Sequence, residues 1–186
     1  LWETLANPLT VPQVVSAIDA LAAQAPPHAI AITGGEPLLH PEYLSELLPE
    51  LKSRGYRTYL DTACCYPKAM AQVAPWLDCV SADLKLPSTM AEPIPFSAFA
   101  SCLKAIVHQY YVKIVITAEV TAEELVNALR QLHELDAAAT VILQPVTPTR
   151  QVQAPTAKQL FALAAACDKY FPARLIPQCH PLMGIK

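Results

Sequence analysis

The chain has 186 residues, 53% of them hydrophobic and 16% charged, with a formal net charge of −3. One domain spanning 1–186 is the expectation for that length, with room for a sizeable core. The slightly acidic balance argues against a nucleic-acid-binding surface, and no apolar run or opening segment reads as a membrane span or signal peptide.

Thr10 is placed as an N-cap, with Pro12 in the first turn and Val14, Val15, Ile18, Leu21 and Ala22 on one face. This predicts an amphipathic helix that ends before Pro26-Pro27. A strand over His28 to Thr33 runs into Gly34-Gly35, and a helix follows over Glu42 to Arg54 with Leu44, Leu47, Leu48 and Leu51 on one side. Pro49 is expected to kink or weaken that helix, and Gly55 is placed to end it in the left-handed conformation. Next come a strand over Tyr56 to Asp61, a short helix over Pro67 to Val73 and a strand over Cys79 to Leu84. The Pro-rich segment Pro87 to Pro95 is a loop, Phe96 to His108 has helical periodicity, and Tyr111 to Thr117 is a strand rich in β-branched residues. Thr121 and Glu124 form a capping box before Leu125, Ala128, Leu129 and Leu132. A strand over Thr140 to Leu143, a loop over Val146 to Pro155 carrying Arg150, a helix over Thr156 to Tyr170, a short strand over Ala173 to Ile176 and an irregular tail complete the chain.

Helices and strands thus alternate without a hairpin signal, which implies an α/β fold with a parallel sheet. A doubly wound open sheet and a complete or partial (β/α) barrel both satisfy the pattern, and six strands are too few for a closed eight-stranded barrel. The six cysteines (Cys64, Cys65, Cys79, Cys102, Cys167 and Cys179) match neither a zinc-ribbon nor a thioredoxin-type spacing. They are expected to be mostly buried, inert thiols in a reducing, cytoplasmic setting.

In either architecture ligands meet the carboxyl ends of the strands. The first strand ends in Thr33-Gly34-Gly35-Glu36, which holds two of the four glycines of the chain. It reads equally as a tight turn with a solvated Glu or as a site where backbone N–H groups face a ligand. The second strand ends in Asp61-Thr62, and the third places Ser81, Asp83 and Lys85 on one face. Asp83 and Lys85 form either a structural ion pair or part of a site. Lys113 stands in an otherwise apolar strand, where it must face water, a polar cavity or a carboxylate such as Glu36, Asp61 or Asp83. Gln144 ends the fifth strand, and Gln178 and His180 lie in the tail. Together these groups suit a small zwitterionic ligand. A phosphate ligand fits less well, because no phosphate-loop motif occurs.

The segment Thr33-Gly34-Gly35-Glu36-Pro37-Leu38-Leu39 resembles the Gly-Gly-Glu motif of radical S-adenosylmethionine (radical SAM) enzymes. Ser81-Ala82-Asp83-Leu84-Lys85-Leu86-Pro87-Ser88 is similar to that family's fourth strand. Gln144-Pro145-Val146-Thr147-Pro148 and the tail Pro177-Gln178-Cys179-His180-Pro181 resemble one subgroup, the 7-carboxy-7-deazaguanine synthases of queuosine and 7-deazapurine biosynthesis. The resemblance implies SAM, a [4Fe–4S] cluster and Mg2+ as cofactors. It implies the conversion of 6-carboxy-5,6,7,8-tetrahydropterin to 7-carboxy-7-deazaguanine through a 5′-deoxyadenosyl radical. An electron donor such as a flavodoxin or ferredoxin and a homodimer accompany that expectation, as does the absence of nucleic-acid and membrane partners. By the same resemblance Gly34, Gly35 and Glu36 grip the methionine amino end of SAM. Asp61, Ser81, Asp83, Lys85 and Lys113 are further cofactor-side candidates, and Thr33, Gln144, Gln178 and His180 are candidates for the pterin. A glycyl-radical-activating enzyme of the same superfamily and a cluster-less binding module are the alternatives.

Two departures stand out. The family's Cys-x3-Cys-x2-Cys cluster loop does not occur, and Cys64-Cys65 lies after the wrong strand. The expectation is therefore a partial (β/α)6 barrel that begins downstream of the family's first strand and cluster loop, inactive by itself. Asp61-Thr62-Ala63-Cys64 also stands where relatives more often have Glu followed by Thr-Asn-Gly.

Overall fold

The computed structural model describes residues 7–179. Six helices, α1 (Val11–Ala22), α2 (Pro41–Ser53), α3 (Pro67–Val73), α4 (Phe96–Lys104), α5 (Ala122–Leu135) and α6 (Ala157–Cys167), alternate with six strands. The strands are β1 (Ile30–Ile32), β2 (Thr58–Thr62), β3 (Cys79–Asp83), β4 (Gln109–Ile116), β5 (Val141–Pro145) and β6 (Arg174–Leu175). Every neighbouring pair is parallel, and the order across the sheet is β1-β2-β3-β4-β5-β6. A doubly wound sheet reverses its order at a switch point. No reversal occurs here, so the sheet winds in one direction as an open, partial barrel.

Strand alternation gives this sheet two different faces. Leu60, Val80, Ala82, Val112, Ile114, Ile116, Val141 and Leu143 share one core with Met70, Phe99, Leu103, Leu125, Leu129 and Leu163 from the helices. Each of these side chains but Ala82 contributes about 1.5–3 kcal/mol by leaving water. The intervening positions Tyr59, Asp61, Ser81, Asp83, Tyr111, Lys113 and Gln144 point to the other, concave face.

Local signals account for most boundaries. Thr10 and Gln13 form a reciprocal capping box at α1, whose Val15 packs with Leu47 and Leu51 of α2. Gly55, at φ +80°, ends α2 as expected: its N–H donates to Lys52 and the Tyr56 N–H to Leu51. Tyr56 is therefore used in the cap, and β2 starts two residues later than the sequence predicts. The helix runs through Pro49 without interruption. At α5 only half of the expected capping box forms. Thr121 accepts from the Glu124 N–H, but the Glu124 carboxylate turns to the N–H and hydroxyl of Ser88 at 2.6 and 2.7 Å. Helix α4 stops at Lys104, short of His108, because Val107 has no core to cover and is 63% exposed.

At the amino ends of the strands, Asp78 accepts from Lys52 at 2.6 Å and from the Thr58 N–H at 2.7 Å. That contact pins β2, β3 and α2 together on the side opposite the strand ends considered next. All six cysteines are free; Cys64, Cys102 and Cys167 are buried, Cys65 and Cys79 are half-buried, and Cys179 is exposed.

Candidate functional site

The turn after β1 needs glycine for its backbone. Gly34 has φ +93° and Gly35 φ +54°, while a Cβ at either would meet nothing within 4 Å. Residues 33–35 are exposed. None of the described backbone hydrogen bonds outside helices and strands uses the N–H of Gly34, Gly35 or Glu36. Among the described residues these three donors have no backbone partner, and Gly35 and Glu36 line the cavity described below. Glu36 is half-buried and held by protein donors. Its Oε1 accepts from the Leu38 N–H at 3.0 Å and the Thr62 hydroxyl at 2.7 Å, and its Oε2 accepts from the Ala63 N–H at 2.7 Å. The carboxylate therefore ties the glycine turn to the end of β2 and leaves lone-pair capacity mainly on Oε2. Cys64 follows at φ +53°, its N–H donating to the same Thr62 hydroxyl at 3.0 Å.

The lysine in the apolar strand finds the carboxylates its position requires. Lys113 Nζ lies 2.9 and 3.1 Å from the two oxygens of Asp61 and 3.5 Å from Asp83 Oδ2. Register explains the meeting, since Asp83 pairs with Lys113 and Asp61 with Ser81 across adjacent strands. Burial alone would lower the Lys113 pKa; the Asp83 and Asp61 carboxylates reverse that and hold it above the ordinary lysine value. Lys85 Nζ bonds Asp83 Oδ2 as well, at 2.8 Å. Asp83 Oδ1 and Ser81 Oγ are buried and find no hydrogen-bond partner among the described residues.

One layer deeper stand two residues that sequence reasoning did not single out. Tyr59 on β2 and Tyr111 on β4 stack with ring centroids 6.4 Å apart and 28° between planes, and their hydroxyls meet at 2.5 Å. They flank β3, and Ser81, in register with Tyr111, is fully buried at that level. Burial pushes the Tyr59 phenol well above its ordinary pKa. The available signal was spacing: each tyrosine precedes an inward charged residue, Asp61 or Lys113, by two positions.

Above these layers lies a cavity of about 160 Å³, lined by Thr33, Gly35, Glu36, Asp61, Asp83 and Lys85 among others. The structure thus gathers six of the sequence candidates around one space, with Lys113 behind them. With Glu36, Asp61 and Asp83 negative and Lys85 and Lys113 positive, the ionised set carries −1. Gln144 sits apart on β5, in register with Val115. Gln178 accepts from the Thr147 N–H at 2.9 Å, which fastens it to the loop after β5, and its amide donors have no partner among the described residues. His180 lies outside the described residues. Among the described residues, no group of three or more His, Cys, Asp or Glu is placed to hold a metal ion.

No protein-family model matches the chain. It is 29% identical to a 7-carboxy-7-deazaguanine synthase of Methanocaldococcus jannaschii, over 99% of this chain and 77% of that protein. It is 30% identical to a protein of the same name from Geobacter sulfurreducens, over 96% of this chain and 72% of that one. Among solved structures, a radical SAM methyltransferase from Sphaerobacter thermophilus superposes with a TM-score of 0.66 at 20% identity, covering 91% of this chain and 58% of that one. The last likeness concerns the fold alone and agrees with the partial barrel.

Proposed function

The chain belongs to the 7-carboxy-7-deazaguanine synthase family, and we propose that the cavity at the ends of β1, β2 and β3 holds the amino-acid end of SAM while 6-carboxy-5,6,7,8-tetrahydropterin is converted to 7-carboxy-7-deazaguanine. The observation that carries the site assignment is the coincidence, around one small cavity, of backbone donors without backbone partners and side chains of both signs with a net negative charge. Those features suit a compact ligand with its own carboxylate, ammonium and excess positive charge.

Each residue then has a task its geometry permits. The N–H groups of Gly34 and Gly35 face a carboxylate, and the spare capacity of Glu36 Oε2 takes an ammonium proton. Lys85 spends one donor on Asp83 and keeps two for an anionic group. Asp61, held by Lys113, is the acceptor placed for ribose hydroxyls. Ser81 serves the floor rather than the ligand, because it is sealed at the level of the tyrosine pair. The stacked tyrosines fill the bottom of the concave face and exclude water beneath the charged layer. Thr33, Gln144, the amide donors of Gln178 and His180 are assigned to the pterin side.

When bound, SAM supplies the radical that removes a hydrogen atom from the pterin. The family also uses a [4Fe–4S] cluster. The described residues offer no ligand set for it, nor for Mg2+, so no step is assigned to either. An electron donor of the flavodoxin or ferredoxin type completes the reading. The test is to express the complete gene, reconstitute the product anaerobically, and supply SAM, reductant and the carboxy-tetrahydropterin. Mass-resolved chromatography should show 7-carboxy-7-deazaguanine; a protein that cleaves SAM but leaves the pterin intact would remove the synthase assignment.

A further inference from the structure

Helix α6 is apolar on both sides. Leu163 and Cys167 face the core, and the Gln159 amide donates to the carbonyls of Ala118 and Val120 at 2.8 and 3.2 Å. The opposite side carries Phe161, Ala162 and Ala165, all exposed. Phe161, at 68%, is the most exposed large hydrophobic side chain among the described residues. A surface helix ordinarily turns charged and polar residues outward. Here the outward charges stand only at the ends, with Lys158 in the first turn and Asp168 as the C-cap.

Those two charges also oppose the dipole of their own helix. A helix N-terminus favours anions and a C-terminus favours cations, yet α6 has no acidic residue in its first turn and no basic residue in its last. Asp168 uses Oδ1 to accept from the Ala173 N–H at 2.7 Å and keeps Oδ2. Lys158 belongs to none of the ion pairs among the described residues. Lys158 and Asp168 lie five positions before and after Leu163, and Phe161 and Ala165 lie two before and after it. When a second α6 is turned end for end about a two-fold axis level with Leu163, both mismatches resolve. Phe161 of each helix meets Ala165 of the other, large against small, and Lys158 meets Asp168. Each charge then lies at the end of the other helix whose dipole it suits. We propose that the outer face of α6 is a two-fold contact on which a second copy of this chain packs its own α6 antiparallel. Such a contact is isologous and closes at two copies. Helix α6 has 11 residues, a length of about 16 Å. The pair therefore covers less than the roughly 1,600 Å² of a standard interface and forms reversibly, at micromolar concentration. No residue lining the cavity at the strand ends belongs to α6, and the proposal stands without the SAM reading.

The product of the complete gene, reconstituted anaerobically, is followed by sedimentation velocity from about 5 to about 500 μM. The wild type should pass from monomer toward dimer over that range and no further. Phe161→Glu should raise the dissociation constant at least about tenfold; the side chain is exposed, so the fold is kept, which circular dichroism verifies. Lys158→Glu sets two anions together at each end of the contact and should weaken the dimer about three- to fivefold. Adding Asp168→Asn, which keeps the acceptor for the Ala173 N–H, should recover most of that loss. A protein that stays monomeric at the highest concentration, or a dimer indifferent to Phe161→Glu, overturns the contact. Lys158→Glu without effect, or without recovery when Asp168→Asn is added, overturns the antiparallel register.

Discussion

Lys113→Met removes an ammonium from between two carboxylates while keeping most of the side chain's length. The Lys113 side chain is 13% exposed, that of Asp83 9% and that of Asp61 29%. Deleting one partner of a buried ion pair costs about 3–5 kcal/mol, mainly because charges are left stranded. Asp61 reaches water and Asp83 keeps Lys85, so the lower end applies, about 3 kcal/mol. For a domain of this size that corresponds to a Tm lowered by roughly 6–12 °C. Urea unfolding at pH 7 should show a lower midpoint with an unchanged slope. Because the Lys113 pKa is raised in the folded state, its contribution is complete below the ordinary lysine value of 10.5 and fades as pH climbs through the higher folded value. The difference between wild type and variant should therefore hold steady from neutral pH to about pH 9 and shrink above about pH 10.5. In a double-mutant cycle with Asp83→Asn, the combined loss should fall short of the sum by about 1 kcal/mol or more. A variant within about 0.5 kcal/mol of wild type, or strictly additive losses, would refute the network.

Other measurements probe the turn, the floor and the thiols. Glu36→Ala strands the Leu38 and Ala63 N–H groups and the Thr62 hydroxyl, so it should lower stability by about 2 kcal/mol and weaken SAM binding; unchanged SAM affinity would take Glu36 out of the site. Gly34→Ala should cost about 1–2 kcal/mol from its φ of +93° alone, since space for the methyl is open; a neutral result in chemical denaturation would show that the turn relaxes freely. Tyr59 stays protonated to higher pH folded than unfolded, so its contribution is lost as pH rises above about 10. Tyr59→Phe should make the alkaline decline in stability shallower by up to about 1.4 kcal/mol per pH unit; an unchanged decline would mean the phenol is not sequestered. A thiol reagent applied to native protein should label Cys179 fastest and leave Cys64, Cys102 and Cys167 silent until denaturant is added; rapid labelling of Cys64 would contradict its burial.

The alternating layers were legible because buried strands and amphipathic helices carry different periods, and no segment of this chain mixes them. The choice of a barrel over a doubly wound sheet was not legible in those periods, because strand order depends on crossovers; it came from the resemblance carried by the Gly-Gly-Glu and Asp-Leu-Lys segments. Lys113 announced itself as a charge in an apolar strand, and Asp61 and Asp83 were among the acceptors such a lysine needs. Its choice of both, and the omission of Glu36, came from the register of β2, β3 and β4. Glu36 went instead to Thr62 and Ala63, a contact across 26 and 27 residues that no local pattern encodes. The tyrosine pair escaped notice for a related reason: each tyrosine reads as an ordinary strand residue, and only the curvature of the sheet brings side chains of β2 and β4 together across β3. At α4, the apolar Val107 extended the helical pattern past the point where the core ends.

The strand lengths carry one more consequence. An open parallel sheet exposes backbone hydrogen-bonding groups along both margins, which invites pairing with strands of other molecules. Among the described residues the margins are β1, with three residues, and β6, with two, whereas interior strand β4 has eight. A foreign strand could make only a few ladder bonds with either stub before meeting the Gly34-Gly35 turn or the segment fastened by Gln178. The longest strand, which offers the most ladder to a foreign partner, is shielded on both sides by its neighbours. Tapering from the middle outward leaves little ladder at either margin of the described sheet.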